Sequence, residues 1–399
     1  DSLEYYMLLA ARNNPLVLQR FSEYKAALDK VPQVGSLSDP ELTAGVYVQP
    51  MELPEGRQVA DFQLMQMFPW FGTLRSARNE MSQMAKAKYE QFRSAQTEVA
   101  FDVQRTMYEL YNIRKQKVIA DKNMQLLKSI ERMTLVRYKS DSPVSASGGG
   151  LADLYRIQIE AGELTDYIAS LETEELALAA RFNSYLNRSP SSPITVPDTL
   201  VYDSVVVRIP EVHDSVFSSN PILEMIRHEE NAYKARKKMV SRMSYPMLGI
   251  GVDYSLMQKS EMSSSGMNGR DMIMPMVKLT LPLYRSKYTS QKNEAGFLQE
   301  ASRMNYLSTA NSLQSDYYQA MQQFKDARRR FNLYTSQADL ANKSLTLMVT
   351  SFSTSGGNLT DILRIRQQTL DYENKKIKAL MDYYTAVALF KKLLATYKY

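Results

Sequence analysis

The stretch Leu151-Ala152-Asp153-Leu154-Tyr155-Arg156-Ile157 recurs in the second half of the chain as Leu359-Thr360-Asp361-Ile362-Leu363-Arg364-Ile365, and glycines precede both copies. Three further landmarks repeat in the same order, at an offset of roughly 206 to 214 residues. They are Asn14-Pro15 with Asn220-Pro221, Pro40-x-Leu42-x-x-Gly45-Val46 with Pro246-x-Leu248-x-x-Gly251-Val252, and Phe68-Pro69-Trp70-Phe71 with Leu281-Pro282-Leu283-Tyr284. The chain is therefore predicted to be a tandem duplication.

Each repeat reads as a helix, two strands, a long helix, a tight glycine turn and a final helix. Asn before Pro suits a helix start, and a proline after the second strand ends it. The first repeat is predicted at 1–188, with a strand hairpin at 42–68, a long helix at 73–139 and a helix at 151–187. A proline-rich connector follows at 189–213. The second repeat is predicted at 214–399, with a hairpin at 247–282, a long helix at 285–351 and a helix at 359–396.

The second long helix carries two apolar rows at seven-residue steps, which is the pattern of a coiled coil. The rows are Ala310, Tyr317, Phe324, Phe331, Ala338, Leu345 and Leu313, Ala320, Ala327, Tyr334, Ala341, Met348. A helix of about 67 residues is about 100 Å long at 1.5 Å per residue. We expect it to pack antiparallel against the helix that follows the Gly356-Gly357 turn.

Apolar residues alternate with small or polar ones in the predicted strands. Between Leu248 and Leu256 every second residue is apolar, which gives the strand one apolar and one polar face. No stretch approaches the roughly 18 to 20 apolar residues of a membrane-spanning helix, so entry into a membrane would rest on such strands. Pro275 is expected at a rim or a bulge. Four strands cannot close a barrel, whereas three chains would close twelve strands. A soluble two-hairpin sheet on a helical bundle is the alternative.

The composition narrows the class of function. The chain has 399 residues, a formal charge of +6 without basic clusters, and no cysteine, so nucleic acid is not an expected partner. His213 and His228 are the only histidines, and no triad or metal site is apparent around them. The 23 methionines are interpreted as packing residues, although thioethers also suit soft metal ions. The chain is predicted not to be an enzyme and to need no cofactor or metal.

The paired Asn-Pro starts, the Phe68-Pro69-Trp70-Phe71 stretch and the two Leu-x-Asp-[Leu/Ile] turns resemble the TolC-like outer-membrane efflux protein family. The resemblance covers nearly the whole chain. It implies a mainly α fold with a small β part: a tandem-duplicated long-helix α-barrel or coiled coil, and four β-strands per chain in a trimeric, twelve-stranded outer-membrane β-barrel. It implies the exit duct of a tripartite efflux pump or type I secretion system, a passive export channel gated at its periplasmic tip.

The same resemblance implies the location and the partners. We expect a homotrimer in the outer membrane with a large periplasmic extension, in contact with outer-membrane lipid, a periplasmic adaptor (membrane fusion protein) and an inner-membrane transporter. The start of the chain lacks the features of a signal peptide, so any such peptide is expected to have been removed. Family members export small molecules, metal ions or proteins, which is the basis of multidrug or metal resistance.

The resemblance also suggests residues for the aperture of the pore. Asp153 and Asp361 match the acidic ring positions, and simple helix capping is the alternative reading. Arg156 and Arg364 stand where some members carry a second acid, which suggests Asp–Arg pairing across chains. Tyr138 and Phe352 match aromatic gate positions, with packing of the last helical turn as the alternative. The tip turns are predicted at Gly148, Gly149, Gly150, Gly356 and Gly357.

Two other classes of function stay open on the sequence alone. A periplasmic coiled-coil adaptor or scaffold without a pore would keep its sheets in water and would be a soluble monomer. A secreted pore-former would insert its hairpins only on contact with a membrane. Fractionation of a trimer with the outer membrane separates the duct from both.

Overall fold

A computed structural model describes residues 2–140, 149–200, 220–264, 266–355 and 358–397. In these ranges the chain is mainly α-helical with a small β part, as predicted. The elements are α1 (Ser2–Asn13), α2 (Pro15–Gly35), β1 (Glu41–Leu53), β2 (Gly56–Phe68), α3 (Thr73–Ser140), α4 (Gly149–Tyr185), α5 (Pro221–Met243), β3 (Met247–Gln258), β4 (Met272–Thr280), α6 (Arg285–Ser355) and α7 (Leu359–Leu393).

Two compact units make up the fold, and each draws on both repeats. One comprises Asp1–Gln19, Arg93–Pro221 and Ala310–Tyr399, and the other comprises Arg20–Phe92 and Ile222–Thr309. We call the first the hairpin unit and the second the sheet unit. Each compact unit thus contains segments of both repeats. The bounds 1–188 and 214–399 are therefore the bounds of the sequence repeats and not those of the compact units.

The sheet unit contains one antiparallel sheet with the strand order β1-β2-β3-β4. Leu64 pairs with Leu42 on one side and with Val252 on the other, and Tyr254 pairs with Phe62 and Ile273. Both hairpins thus join into one sheet, and β1 and β4 form its edges. Register shifts between Val46 and Met51 mark an irregularity in β1.

The expectation that Pro275 lies at a rim or a bulge is wrong. Pro275 is the fourth residue of β4, and it pairs with Val252 in an unbroken register. A proline removes one ladder donor, which an edge strand tolerates because its outer side has no partner strand among the described residues.

The hairpin unit contains two antiparallel helical hairpins. Arg114 Nε lies 2.7 Å from Glu175 Oε1, and Lys117 Nζ lies 2.8 Å from Glu172 Oε1, so α3 and α4 run in opposite directions. Rings of α6 and α7 pair in the same way: Tyr317 with Phe390 at 5.4 Å and Tyr334 with Tyr372 at 6.4 Å between centroids. The predicted coiled coil is confirmed, because most members of both seven-step rows are buried or half-buried.

Each repeat uses its Asn-Pro pair to join two helices. Asn14 Oδ1 accepts hydrogen bonds from the amides of Leu16 and Val17 at 2.9 and 3.4 Å, which caps α2. Its Nδ2 donates to the carbonyl of Tyr185, the last residue of α4, at 2.9 Å. Asn220 Nδ2 donates to the carbonyl of Leu393, the last residue of α7, at 3.0 Å. One side chain therefore ties the end of one helix to the start of another.

Some predicted features lie outside the described residues. They are Gly148, Gly356 and Gly357 of the tip turns, His213, and the stretch 201–219, which includes most of the connector and the predicted start of the second repeat. Gly149 and Gly150, also predicted as turn residues, form the first turn of α4 instead. No helix in the described ranges has the length and apolar character to cross a membrane.

We predict that Asn220→Ala lowers the free energy of unfolding by about 1–2 kcal/mol, because the buried Leu393 carbonyl loses its donor and α5 loses its cap residue. Chemical denaturation followed by circular dichroism measures the effect. Asn332→Ala, at an exposed position in α6, is the control and should leave the midpoint within about 0.5 kcal/mol. Equal stability of the two variants would contradict the junction role.

Candidate functional site

The sheet carries its apolar side chains on one exposed face. Residues opposite each other in an antiparallel sheet lie on the same face, so the register assigns each side chain. One face collects large apolar residues, all of them exposed: Leu42, Val46, Phe62, Leu64, Ile250, Val252, Tyr254, Leu256, Ile273, Val277 and Leu279. Val46 is 79% exposed and Val277 is 75% exposed. This contiguous surface, which we call the apolar face, spans all four strands.

The opposite face of the sheet, which we call the polar face, is lined by smaller or polar groups. In β3 these are Gly249, Gly251, Asp253 and Ser255, and the two glycines and the serine are buried. Water-soluble sheets with one solvated face bury the apolar side and expose the polar one. This sheet has the reverse distribution, so its apolar face requires a non-aqueous neighbour.

Aromatic side chains gather where β2 and β4 end and β3 begins. The ring of Trp70 stacks on Tyr245 with centroids 5.1 Å apart and an angle of 16° between the planes. Phe71 and Tyr284 follow the two proline stops and are among the most exposed large side chains of the sheet unit. Aromatic rings at the end of an apolar face are typical of the girdle that lipid-exposed sheets place at the membrane–water interface.

A core of four helices closes the end of the hairpin unit that carries the repeated Leu-x-Asp motifs. Its buried residues come from α3, α4, α6 and α7: Ala120, Leu127, Ile130, Ile157, Leu164, Leu345, Phe352, Leu359, Ile362 and Leu363. Tyr167 of α4 and Asn374 of α7 are hydrogen-bonded at 3.1 Å, so these two helices lie side by side. The two motif copies therefore meet at one end of this unit.

Asp153 and Asp361 differ in their helical positions. Asp361 is in the first turn of α7, whereas Asp153 is the fifth residue of α4 because that helix already begins at Gly149. Asp153 therefore lies after the first turn of its helix and does not cap it. Asn358 caps α7 by accepting from the amide of Thr360 at 3.0 Å, so Asp361 is not the cap residue. Asp361 is exposed and Asp153 is half-buried.

The two arginines of the motifs lie on exposed positions. Arg156 Nη1 is 3.8 Å from Asp153 Oδ1 in the same helix, and it donates to Thr360 Oγ1 at 2.9 Å. It therefore links the two hairpins within one chain, whereas the pairing suggested by the sequence ran between chains. Arg364 is exposed beside the start of α7. An exposed pair of this kind contributes at most about 1 kcal/mol.

Tyr138 and Phe352 have different environments. Phe352 is buried in the four-helix core, and the guanidinium of Arg137 lies 5.5 Å from the centre of its ring. This is the packing role that the sequence left as the alternative for Phe352. Tyr138 is exposed, and a Cβ atom on Gly150 would lie 2.8 Å from its Cδ2. A glycine at position 150 leaves room for that ring.

The residues that sequence reasoning missed form a buried ion pair. Arg366 of α7 is 2% exposed and donates from Nη2 to Glu160 Oε2 of α4. Burial lowers the pKa of the Arg366 guanidinium, and the Glu160 carboxylate opposes that shift. Nε and Nη1 of Arg366 have no hydrogen-bond partner among the described residues, and Arg366 lines a pocket of about 190 Å³ between the two helices. The only sign of this ion pair in the sequence is the charged residue Arg366 among the apolar positions Ile362, Leu363 and Leu370.

Within the described ranges, no group of three His, Cys, Asp or Glu side chains is placed to hold a metal ion. The Nδ1 atom of His228 lies 2.9 Å from Gln83 Oε1. Burial lowers the pKa of His228, and Lys86 adds to this effect. This arrangement corresponds to a packed histidine.

Solved structures of channels have the same fold. The outer-membrane channel OprN matches with a TM-score of 0.81 at 12% identity, over 98% of this chain and 89% of that one. The outer-membrane protein VceC from Vibrio cholerae matches with a TM-score of 0.78 at 12% identity, over 98% and 95%. The open state of the Neisseria gonorrhoeae MtrE outer-membrane channel matches with a TM-score of 0.79 at 13% identity, over 98% and 88%. The chain has the fold of a TolC-like outer-membrane channel.

The resemblance noted in the sequence is thereby confirmed at the level of the fold. No protein-family profile matches the chain, and no curated protein matches it in sequence. The shared fold covers nearly the whole of this chain and of each matched channel, although few residues are identical. The similarity therefore lies in helix lengths, strand register and the repeated junctions. The apolar face and the motif-bearing end of the hairpin unit are its two candidate functional surfaces.

Glu160→Gln should lower the free energy of unfolding by about 3 kcal/mol, because the buried Arg366 is left with an uncompensated charge. This loss is at the low end of what the removal of one partner from a buried ion pair usually costs, because Glu160 is partly exposed. The double variant Glu160→Gln/Arg366→Met removes both charges and should recover to within about 1 kcal/mol of the parent chain. Denaturation curves of the single and double variants test this. A single variant as stable as the parent would show that the pair is solvated.

Proposed function

We propose that the chain is one of three subunits of a passive exit duct in the bacterial outer membrane. The observation that carries this proposal is the exposed apolar face of the sheet. Burial of apolar surface stabilises a protein by about 25 cal/mol per Å², so a face of eleven large apolar side chains in water would be a severe liability. Contact with hydrocarbon removes that cost.

Trimer formation follows from the edges of the sheet. Strands β1 and β4 have no partner strand on their outer sides within the described part of the chain, and backbone groups left unpaired there have no partner in lipid. Pairing of β4 with β1 of the next copy removes both edges, and three copies of four strands close a twelve-stranded barrel. A second apolar row supports the association: Leu333, Leu340 and Leu347 are exposed on α6 at seven-residue steps.

A duct of this kind would serve as the outer-membrane part of a tripartite efflux pump or a type I secretion system. Its proposed partners are a periplasmic adaptor and an inner-membrane transporter, which would supply both the energy and the selection of substrates. The likeness to solved structures of outer-membrane channels supports this class over an enzyme. Export of small molecules, metal ions or proteins is compatible with a passive conduit.

The motif-bearing end of the hairpin unit is proposed as the periplasmic gate. The name of the MtrE structure describes an open state of that channel, which supports a gate in a protein of this fold. Asp153 and Asp361 of three copies would place six carboxylates around the axis, which would favour cations. Arg156 and Arg364 would reduce that field, and Arg156 would hold the two hairpins of one chain together through Thr360. Tyr138 is the proposed aromatic gate residue, because Phe352 is buried in the four-helix core.

The membrane assignment predicts that Leu64→Arg prevents assembly, because an arginine on the lipid face costs about 2–4 kcal/mol at the bilayer centre in each of three chains. Gln63→Arg is the matched control, since residue 63 is the next position on the same strand and lies on the polar face. Outer-membrane fractionation and crosslinking of whole cells measure the trimer. Leu64→Arg should abolish it and Gln63→Arg should leave most of it.

The soluble-scaffold alternative predicts the opposite outcome of the same experiment. An arginine in place of an exposed leucine in water would improve solubility and would leave a monomer as stable as before. A soluble, monomeric Leu64→Arg variant next to an equally soluble, monomeric parent chain would therefore rule out the membrane duct.

The gate assignment predicts that Asp153→Ala/Asp361→Ala lowers the preference of the pore for cations over anions by at least about twofold in planar bilayers, because six carboxylates are lost from the aperture. Asp339→Ala removes an exposed carboxylate of α6 and should leave selectivity unchanged. Conductance and reversal potentials in a salt gradient provide the measurement. Identical reversal potentials for parent and double variant would remove Asp153 and Asp361 from the pore.

A further inference from the structure

One face of α4 is exposed in the single chain, although the equivalent face of α7 is covered. The repeated motif aligns Leu151 with Leu359, and from there the two unbroken helices align residue by residue. On α7 this face is buried or half-buried at Leu359, Leu363, Arg366, Leu370 and Tyr384. The equivalent residues of α4, which we call the α4 face, are all exposed: Leu151, Tyr155, Gln158, Gly162 and Leu176. The α7 face thus has a cover that the α4 face lacks.

A similar difference separates α3 from α6. Glu175 of α4 pairs with Arg114 of α3, and its equivalent in α7, Tyr383, packs on Phe324 of α6 with ring centroids 5.1 Å apart. Arg114 therefore corresponds to Phe324, and counting along α3 and α6 gives the other equivalent residues. On α3 a buried face contains Tyr108, Asn123 and Ile130. Their equivalents, which we call the α6 face, are exposed: Tyr318, Leu333 and Leu340.

Inside one chain, the covered face of α7 packs against α3. The rings of Tyr108 and Tyr384 are 5.4 Å apart, and Lys392 Nζ lies 2.5 Å from Glu98 Oε2. Residue numbers rise along α3 while they fall along α7, so the two helices are antiparallel in a defined register. The two exposed faces are the equivalents of these two covered ones.

We infer that the α4 face of one chain binds the α6 face of a second copy, in the register that α7 and α3 use inside the chain. Leu176 then lies against Tyr318 of the second copy, as Tyr384 lies against Tyr108 within one chain. Two different faces form a heterologous contact, which generates a ring when its rotation closes. The inference rests on the proposed function for the number of copies, and it adds which helices and which residues meet.

The sizes of the side chains in the middle of the two faces fit this register. Counted from the Tyr108–Tyr384 contact, Asn123 of α3 lies opposite Leu370 of α7 to within one residue. The equivalent residues between copies are Leu333 and Gly162, so the leucine has changed sides. A Cβ atom on Gly162 would meet nothing within 4 Å among the described residues of the single chain. A glycine destabilises the interior of a helix, and the close approach of Leu333 from a second copy gives it a function.

The same register continues to the motif-bearing end of the hairpin unit. There it brings Leu340 to Leu151 and Tyr155 of the second copy, and all three are large and exposed in the single chain. Their equivalents within one chain belong to the buried four-helix core: Ile130, Leu359 and Leu363. A corresponding apolar contact between copies would cover the exposed residues.

The variant Gly162→Leu tests the opposition of residues 162 and 333. Leucine fits the single chain, where position 162 is open, but it would collide with Leu333 of a second copy. We expect Gly162→Leu to lower the amount of trimer in outer-membrane fractions at least about fivefold, because overpacking of a close contact is destabilising. Gly162→Leu/Leu333→Ala should restore most of the trimer. Gly162→Leu/Leu347→Ala shortens another exposed leucine of α6 and should not.

A disulfide between copies tests the register at a second place, because the chain contains no cysteine of its own. Leu176→Cys/Tyr318→Cys should give crosslinked dimers and trimers on non-reducing gels of oxidised whole cells, since a disulfide needs Cα atoms within about 7 Å. Glu174→Cys/Tyr318→Cys is the control and should give monomers, because residue 174 is exposed on another side of α4.

The outcomes separate this contact from the proposed duct. An unchanged trimer of Gly162→Leu, or a trimer without the disulfide between residues 176 and 318, would overturn the contact and leave the duct in place. The two exposed faces would then serve another partner, such as a helix of an adaptor. Copies that are crosslinked through residues 176 and 318 but remain soluble would support the contact and refute the duct.

Discussion

The register of the four-stranded sheet is the constraint on which the rest of the structure depends. Side chains alternate with a period of two, so a slip of one residue in any pair of strands would move half of the apolar residues to the opposite face. The pairs Phe62 with Tyr254 and Leu64 with Val252 fix the register of the two hairpins relative to each other. The eleven large apolar side chains of the apolar face then lie together, and nothing in the described sheet unit covers them. The proposed membrane contact and the proposed trimer both rest on this uncovered apolar face and on the two open edges of the sheet.

In the hairpin unit, by contrast, long helices pack together with little apolar surface. Alanines at seven-residue steps in α6 allow close approach, and the large rings of Tyr317 and Phe324 fill the spaces between them. At the Asn-Pro junctions, Asn14 and Asn220 each pair the carbonyl of the last residue of a neighbouring helix. Asn14 and Asn220 each serve two helices, and the residues with positive φ that follow α4 and α7, Asn187 and Ala395, turn the chain at equivalent places.

The fold could be predicted from the sequence because its signals are periodic and repeated. Strict alternation from Leu248 to Leu256 specified a strand, and the seven-step rows from Ala310 to Met348 specified a hairpin. Alternation does not show which face is covered, so the burial of Gly249 and the exposure of Val252 could be read only from the structure. The start of α4 was missed because glycine pairs disfavour helix, and here Gly149 and Gly150 are helical.

The least predictable feature of the candidate site is also the clearest difference between the two repeats. Arg366 and Glu160 correspond to Gln158 and Gln368 in the opposite copies, so the ion pair occurs at only one of two equivalent positions. If the two repeats were identical, the contact between α4 and α7 within one chain would be chemically the same as the contact between these helices of neighbouring chains in the proposed ring. A buried charge pair contributes little net stability but penalises a wrong partner, because each charge would then be buried alone. In the proposed trimer, the single Arg366–Glu160 pair would therefore distinguish the contact inside one chain from the equivalent contact between chains, and would give the six repeats a defined order.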